Sequence, residues 1–373
     1  MQLPVDQFGA SPPEHSPDKS LDQAMLRAYP IERLVDYGCL LEDALKLRRR
    51  VEDGYGWSSV ALHLANEHEL RAERTKNLGS ENPTIRFFLA SAAGYRVAQA
   101  GLEHEPAQRL RIYERQAQSF TAAMNQTSSM YGSELIEISH KGVEHRAWLF
   151  RSNSFQDAGP VVVVWGGADG WCEAFHTSVP FYLERNISVC LLELPGQGLA
   201  RLQRGSFLDV SYSNFVSKVL DVLTRKGSAA DKFGIVGHSL GGSLAVAAAG
   251  ADGRIRACCS KGGPPQLKSL IKYPRVIQRF GRMLGDDMTE AEVFEFCDQV
   301  DVEAAVTSMR ANLLCLQGGQ DPLVSDKEAE HLIHLRGKAA ARLGYWAEGT
   351  HCIYNHALER NVLIADWFAS ELC

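Results

Sequence analysis

The 373-residue chain predicts an α/β fold, an eight-stranded and mostly parallel sheet preceded by a helical N-terminal domain. Three observations predict it. From Glu134 onward, short apolar runs alternate with segments long enough for crossover helices. Several of these runs, such as Val161-Val-Val-Val-Trp165, are apolar throughout, as strands buried on both faces must be. Before them, Leu21 to Asn125 shows helical periodicity and no β-rich run.

In chain order, the proline-dotted stretch Met1–Lys19 has no apolar segment behind basic residues, so it reads as a flexible N-terminus over 1–20, neither signal peptide nor anchor. Helices are expected near 21–50, 58–76, 83–101 and 106–124, within a helical domain spanning 21–130. Tyr113, Ala117, Phe120 and Met124 repeat at helical spacing, and Asn82-Pro83 reads as an N-cap followed by proline at the first helical position. Strands are expected at 134–138, 146–150, 161–165, 188–194, 233–236, 256–260, 313–317 and 342–346, within a second domain spanning 131–373. The first two have no room for a helix between them and should pair antiparallel. The stretch 264–310 exceeds a simple crossover and reads as a helical excursion that helps cover a site.

Charge and cysteine usage narrow the partners. With 39 Lys and Arg against 45 Asp and Glu, and no basic run longer than Arg48–Arg50, nucleic acid and anionic membranes are poor partners and a neutral or hydrophobic small molecule fits better. No apolar stretch approaches the ~18 residues that span a bilayer. The nine cysteines form no C-x-x-C pair, which argues against a disulfide framework or zinc ribbon and for a cytoplasmic protein. His331 and His334, at i, i+3 on an expected helix, have no third partner for a metal.

One segment carries chemistry. Gly237-His-Ser-Leu-Gly241 follows an apolar run and precedes an alanine-rich stretch, which makes a strand, a sharp turn and a helix with Ser239 at the tip. A serine hydroxyl needs an imidazole as general base and a carboxylate to orient that imidazole. In this architecture the acid follows a late strand and the histidine follows the last. Asp321, in the turn after 313–317, is the natural acid, with Asp326 and Asp301 as rivals, and its bland reading is an Asx turn before Pro322. His351, at the tip of the last strand, is the natural base, with His356 five residues on. Oxyanion donors are expected from the Leu240 N–H and from the loop after the third strand, Ala168 first and Gly167 next. That loop lacks dinucleotide-binding spacing, so no cofactor is expected. The turn Leu194-Pro-Gly-Gln-Gly198 is assigned a structural role, and Trp171, Phe175, Phe181 and Tyr182 are candidates for an apolar pocket as well as for core.

Gly237-His-Ser-Leu-Gly241, Gly319-Gln-Asp321 and Gly349-Thr-His351, borne in order on eight strands, resemble the α/β-hydrolase fold over residues 134 to 373. The helical N-terminal domain, the Gly166–Gly170 loop and Leu194–Gly198 resemble, within it, the fermentation-respiration switch group. That group includes dihydroxy-pseudooxynicotine hydrolase and the fungal polyketide-shortening hydrolases. The turn departs from it by running on into Leu199-Ala200, where relatives often place an acidic or small polar residue.

The resemblance implies a helical cap over the site, and cleavage of a carbon-carbon bond flanked by carbonyls or of an ester, with Ser239 as nucleophile, Asp321 as acid and His351 as base. The expectation is a cofactor-independent serine hydrolase working through an acyl-enzyme. Two alternatives stand beside it: an acyltransferase or cyclase using the same three residues, and a non-catalytic binding protein on a hydrolase scaffold. A homodimer is compatible with an exposed apolar face on the cap.

Overall fold

The computed structural model describes residues 11–102, 104–126, 132–152 and 159–373. They fall into two compact units, Met1–Ser133 and Glu134–Cys373. The boundary expected at 130/131 and the first ten residues of the expected flexible start lie outside the described residues.

The first unit is helical: α1 (Lys19–Ala28), α2 (Ile31–Asp36), α3 (Leu41–Glu52), α4 (Trp57–Asn77), α5 (Glu81–Ala100) and α6 (Pro106–Gln126). The single helix expected over 21–50 is three. Pro30 excludes the helical conformation from the residue before it, and Gly38 turns the chain at φ 90°. The start of α5 also differs, because Ser80 is the N-cap and Pro83 lies in the first turn. Residues 14–16 are tied to the α3–α4 turn through Gly56 N–H to Glu14 O at 2.9 Å and Ser16 N–H to Gly54 O at 3.0 Å. Met25, Leu34, Leu47, Trp57 and Tyr95 form the core of this unit.

The second unit is built on an eight-stranded sheet of order β1-β2-β4-β3-β5-β6-β7-β8. Its strands are β1 (Gly132–His140), β2 (Val143–Arg151), β3 (Val161–Trp165), β4 (Ser188–Leu192), β5 (Phe233–His238), β6 (Ile255–Lys261), β7 (Asn312–Gly318) and β8 (Ala341–Trp346). β1 and β2 join through Lys141-Gly142, both at positive φ, the two-residue turn that suits a hairpin's twist. β2 runs antiparallel to β4, and every pairing from β4 to β8 is parallel.

The helices are α7 (Val179–Leu183), α8 (Gly198–Arg204), α9 (Tyr212–Arg225), α10 (Leu240–Ala251), α11 (Pro274–Leu284), α12 (Glu290–Gln299), α13 (Val302–Ser308), α14 (Asp326–Arg336) and α15 (Ala357–Leu372). The excursion holds a 3-10 turn at Leu267–Lys272 followed by α11, α12 and α13.

Both faces of the central strands are covered, and the side-chain alternation of β5 shows how. At Gly234 a Cβ would stand 2.5 Å from Phe368, so the missing side chain is where α15 packs. Ile235 points to the other face. There it joins the cluster containing Phe215, Leu244 and Ala248 of α9 and α10. Each such aliphatic side chain contributes roughly 1.5–3 kcal/mol by leaving water. Ile235 is fully buried, whereas Leu343 on edge strand β8 is 38% exposed. Ile235→Ala should therefore lower unfolding stability by about 2–5 kcal/mol and Leu343→Ala by under about 1 kcal/mol in urea titrations. Equal losses would contradict the sheet order.

Candidate active site

The expected site residues all lie beyond the carboxyl ends of β3, β5, β7 and β8, where open parallel sheets bind ligands. Ser239 is the one-residue turn between β5 and α10, at φ 57° and ψ −130°. A non-glycine residue there is strained, and the surroundings enforce it. A Cβ at Gly237 would stand 1.9 Å from the Gly241 carbonyl oxygen, and one at Gly241 2.4 Å from the Gly166 oxygen. The Ser239 N–H donates to the Lys261 carbonyl at 2.8 Å, and the Trp165 indole donates to Gly241 O at 2.9 Å.

Asp321 makes two kinds of bond. Its Oδ1 accepts from the N–H groups of Leu323 and Val324 at 2.8 and 3.2 Å, while Oδ2 meets His351 Nδ1 at 2.8 Å. The Asx-turn reading and the imidazole-partner reading are thus both true, one per oxygen. His351 Nε2 stands 2.9 Å from Ser239 Oγ, so the three residues are brought into one hydrogen-bonded series. The acid and histidine loops are stitched together by Gly319 N–H to Trp346 O and Gln320 N–H to Gly349 O, at 2.8 and 2.9 Å.

The rivals serve elsewhere. Asp301 caps α13 through the Ala304 N–H, and Asp326 accepts from the Tyr345 hydroxyl at 3.0 Å. His331 pairs with Glu303 at 3.1 Å, His334 lies in the last turn of α14, and His356 stands at the N-cap position of α15 with its ring 3.6 Å from Glu359. Among the described residues no group of three His, Cys, Asp or Glu side chains could hold a metal ion. Trp171, Phe175 and Tyr182 are buried core, Phe175 against the His238 ring at 4.0 Å and Tyr182 against Phe368; Phe181 is partly buried.

Leu240 opens α10, so its N–H has no acceptor within the helix. Gly167 lies against it, because a Cβ there would stand 3.1 Å from Leu240 N, and Ala168 follows, partly buried on the main core.

Burial works against a protonated His351, while the adjacent Cys352 sulfur and the Asp321 carboxylate work for it; the net direction is above the usual histidine value. Of these two, Asp321 is held to the ring by a hydrogen bond of 2.8 Å to Nδ1, while the Cys352 sulfur lies 3.4 Å from the Lys261 carbonyl. His238, next to the serine, is pushed well below the usual value by burial and by Lys261 and Arg360, and stays neutral.

Sequence reasoning missed two supports. Cys352 and Ile353 both sit at positive φ just after the histidine, and buried Arg360, from α15, donates to both their carbonyls at 3.2 Å. Gln197 donates to the carbonyls of Gly166 and Gly167 at 2.9 Å each. The Leu194–Gly198 turn was the visible signal for Gln197, but its neighbour in space is 30 residues away.

The match to the alpha/beta hydrolase family covers residues 158–359, more than half of the chain. This chain belongs to that family. Beyond it, the hydrolase is 22% identical over 342 residues to 2,6-dihydropseudooxynicotine hydrolase of Paenarthrobacter nicotinovorans, covering 90% of this chain and 89% of that protein. The crystal structure of 2,6-dihydroxy-pseudo-oxynicotine hydrolase superposes with a TM-score of 0.81 at 22% identity, over 91% of this chain and 95% of that one. AbyA5 superposes with a TM-score of 0.67 at 18% identity, over 87% and 93%. These neighbours fall where the motif resemblance pointed, and the structural likeness shows a shared fold. Among the described residues no helix of the hydrolase is long and apolar enough to cross a membrane.

The strain at Ser239 is measurable. Left-handed or similarly sparse backbone regions cost a non-glycine residue on the order of 1–3 kcal/mol. Ser239→Gly should therefore melt at a higher temperature than Ser239→Ala, and the reverse order would show that the turn is unstrained.

Proposed function

We propose that the protein is a serine hydrolase that cleaves a carbon-carbon bond next to a ketone, or a carboxylic ester, in a hydrophobic or aromatic small molecule. The observation that carries this reading is the series Ser239 Oγ, His351 Nε2 and Nδ1, Asp321 Oδ2, at 2.9 and 2.8 Å. Family membership and relatives named as hydrolases support it.

In this reading Ser239 Oγ attacks the carbonyl carbon as its proton passes to His351 Nε2, and the oxyanion is held by the N–H of Leu240 and of Ala168 or Gly167. Collapse breaks the bond to the leaving group. Its electron pair goes to an alkoxide oxygen or to a carbanion carbon, which takes the proton from His351. Water then adds to the acyl-enzyme with its proton going to His351, and the Oγ–carbon bond breaks as that proton returns to Ser239. Asp321 stabilises the imidazolium and holds the tautomer with its proton on Nδ1. The nine unpaired thiols fit a reducing cytoplasm as the place of action.

Ser239→Ala should abolish both turnover of activated esters and labelling by a fluorophosphonate. Undiminished turnover in that variant would defeat the reading. The pH dependence follows from the sign of the His351 shift. The ring takes a proton only when neutral, and its folded-state value is raised. Activity is therefore lost as pH falls through a value above the ordinary ~6.5 of histidine. Asp321→Asn removes the charge that holds it up, so the acid limb of kcat/KM should move to lower pH while kcat falls by about 10⁴. An unmoved limb in that variant would show that Asp321 is not the electrostatic partner.

A further inference from the structure

We propose that Gln197 is a positioning residue for the oxyanion-binding loop, its side-chain amide fixing which way the peptides of Gly167 and Ala168 face. The proposal rests on the serine-hydrolase reading above and deepens it.

Gln197 is fully buried and ends a tight turn in which its own N–H donates to Leu194 O at 3.0 Å. Its Oε1 accepts from the Leu194 N–H at 3.1 Å. That bond settles the orientation of the amide, so the two hydrogens on Nε2 face the loop after β3. They are both used: Gly166 O and Gly167 O each accept at 2.9 Å. A neutral amide is the side chain that offers this combination of one acceptor and two donors.

The consequence follows from peptide geometry. In a trans peptide the N–H points opposite to the carbonyl of the preceding residue. Holding the carbonyls of Gly166 and Gly167 toward Gln197 therefore turns the N–H groups of Gly167 and Ala168 away from it. Those are the two candidates for the second oxyanion donor, and Gly167 lies against Leu240 N, the first. Rotation of either peptide would present a carbonyl oxygen where negative charge develops.

A second tie, Arg279 of α11 to Asp169 at 2.9 Å, holds the loop by a side chain and leaves peptide orientation free. The Leu194–Gly198 segment thus does more than turn the chain. Gly198, at φ 57°, lets the main chain pass so close to Glu193 that a Cβ would stand 1.8 Å from its carboxylate, which keeps Gln197 beneath the loop.

The test compares wild type, Ser239→Ala, Gln197→Met and Gln197→Glu with a 4-nitrophenyl ester and with an aryl trifluoromethyl ketone, whose adduct on Ser239 is a hemiketal. Ionisation of the adduct, followed by ¹⁹F NMR, reads the donors directly. We expect the wild-type hemiketal to ionise at lower pH than the free hydrate. In both Gln197 variants it should ionise at higher pH, with kcat reduced about 10²-fold or more and KM changed less than about threefold. Glutamate keeps the acceptor for Leu194 and loses the paired donors, so it decides the matter if the methionine variant does not fold.

Wild-type kcat and hemiketal ionisation in a folded Gln197 variant would overturn the proposal, as would a wild-type hemiketal no more acidic than the free hydrate. Loss of turnover in Ser239→Ala alongside unchanged Gln197 variants would remove this inference and leave the hydrolase reading standing. Full turnover in Ser239→Ala would remove both.

Discussion

A serine held at φ 57° and ψ −130° is the constraint on which the second unit is organised. The conformation is unfavourable by itself and persists only when its surroundings over-determine it. Here the carbonyl of β6 accepts the serine N–H, the indole of β3 holds the carbonyl of Gly241, and glycines let three backbones meet where no Cβ fits. β3, β5 and β6 must pair in the observed register for these bonds to coincide. The fully buried valines of β3 and the core behind β5 supply the stabilisation that offsets the strain.

The histidine loop repeats the same physics with other means. Two successive non-glycine residues in the left-handed region, Cys352 and Ile353, sharply turn the chain away after His351. Their carbonyls are received by the guanidinium of Arg360, from a helix that also packs against β5. Burial, Lys261 and Arg360 together keep His238 neutral, so the histidine that ends β5 and the one in the turn after β8 have opposite shifts. Burial is common to both; what differs is that one faces a carboxylate and the other faces cations.

How much of this was legible in the chain depended on range. The eight strands were readable because buried parallel strands are apolar throughout, and each lies within a few residues of its expected place. Ser239, Asp321 and His351 could be named because Gly237-His-Ser-Leu-Gly241 marks a sharp turn and the loops after a late strand and the last strand lie at the same end of the sheet. Local breaks were harder, as at Pro30 and Gly38, where amphipathic periodicity runs on across the interruptions. The supports were invisible for a different reason. Gln197 and Arg360 act on carbonyls whose positions exist only after folding, and a backbone acceptor leaves no mark in side-chain identity.

Asp321 divides its two oxygens between a turn and an imidazole. An amide at this position preserves the shape of the loop and abandons the charge; a longer acid preserves the charge and abandons the shape. In the proposed reaction, loop shape and charge thus draw on the same carboxylate, and neither substitution keeps both. The aspartate is doubly committed: the bend between β7 and α14 is held by the residue that also meets the imidazole.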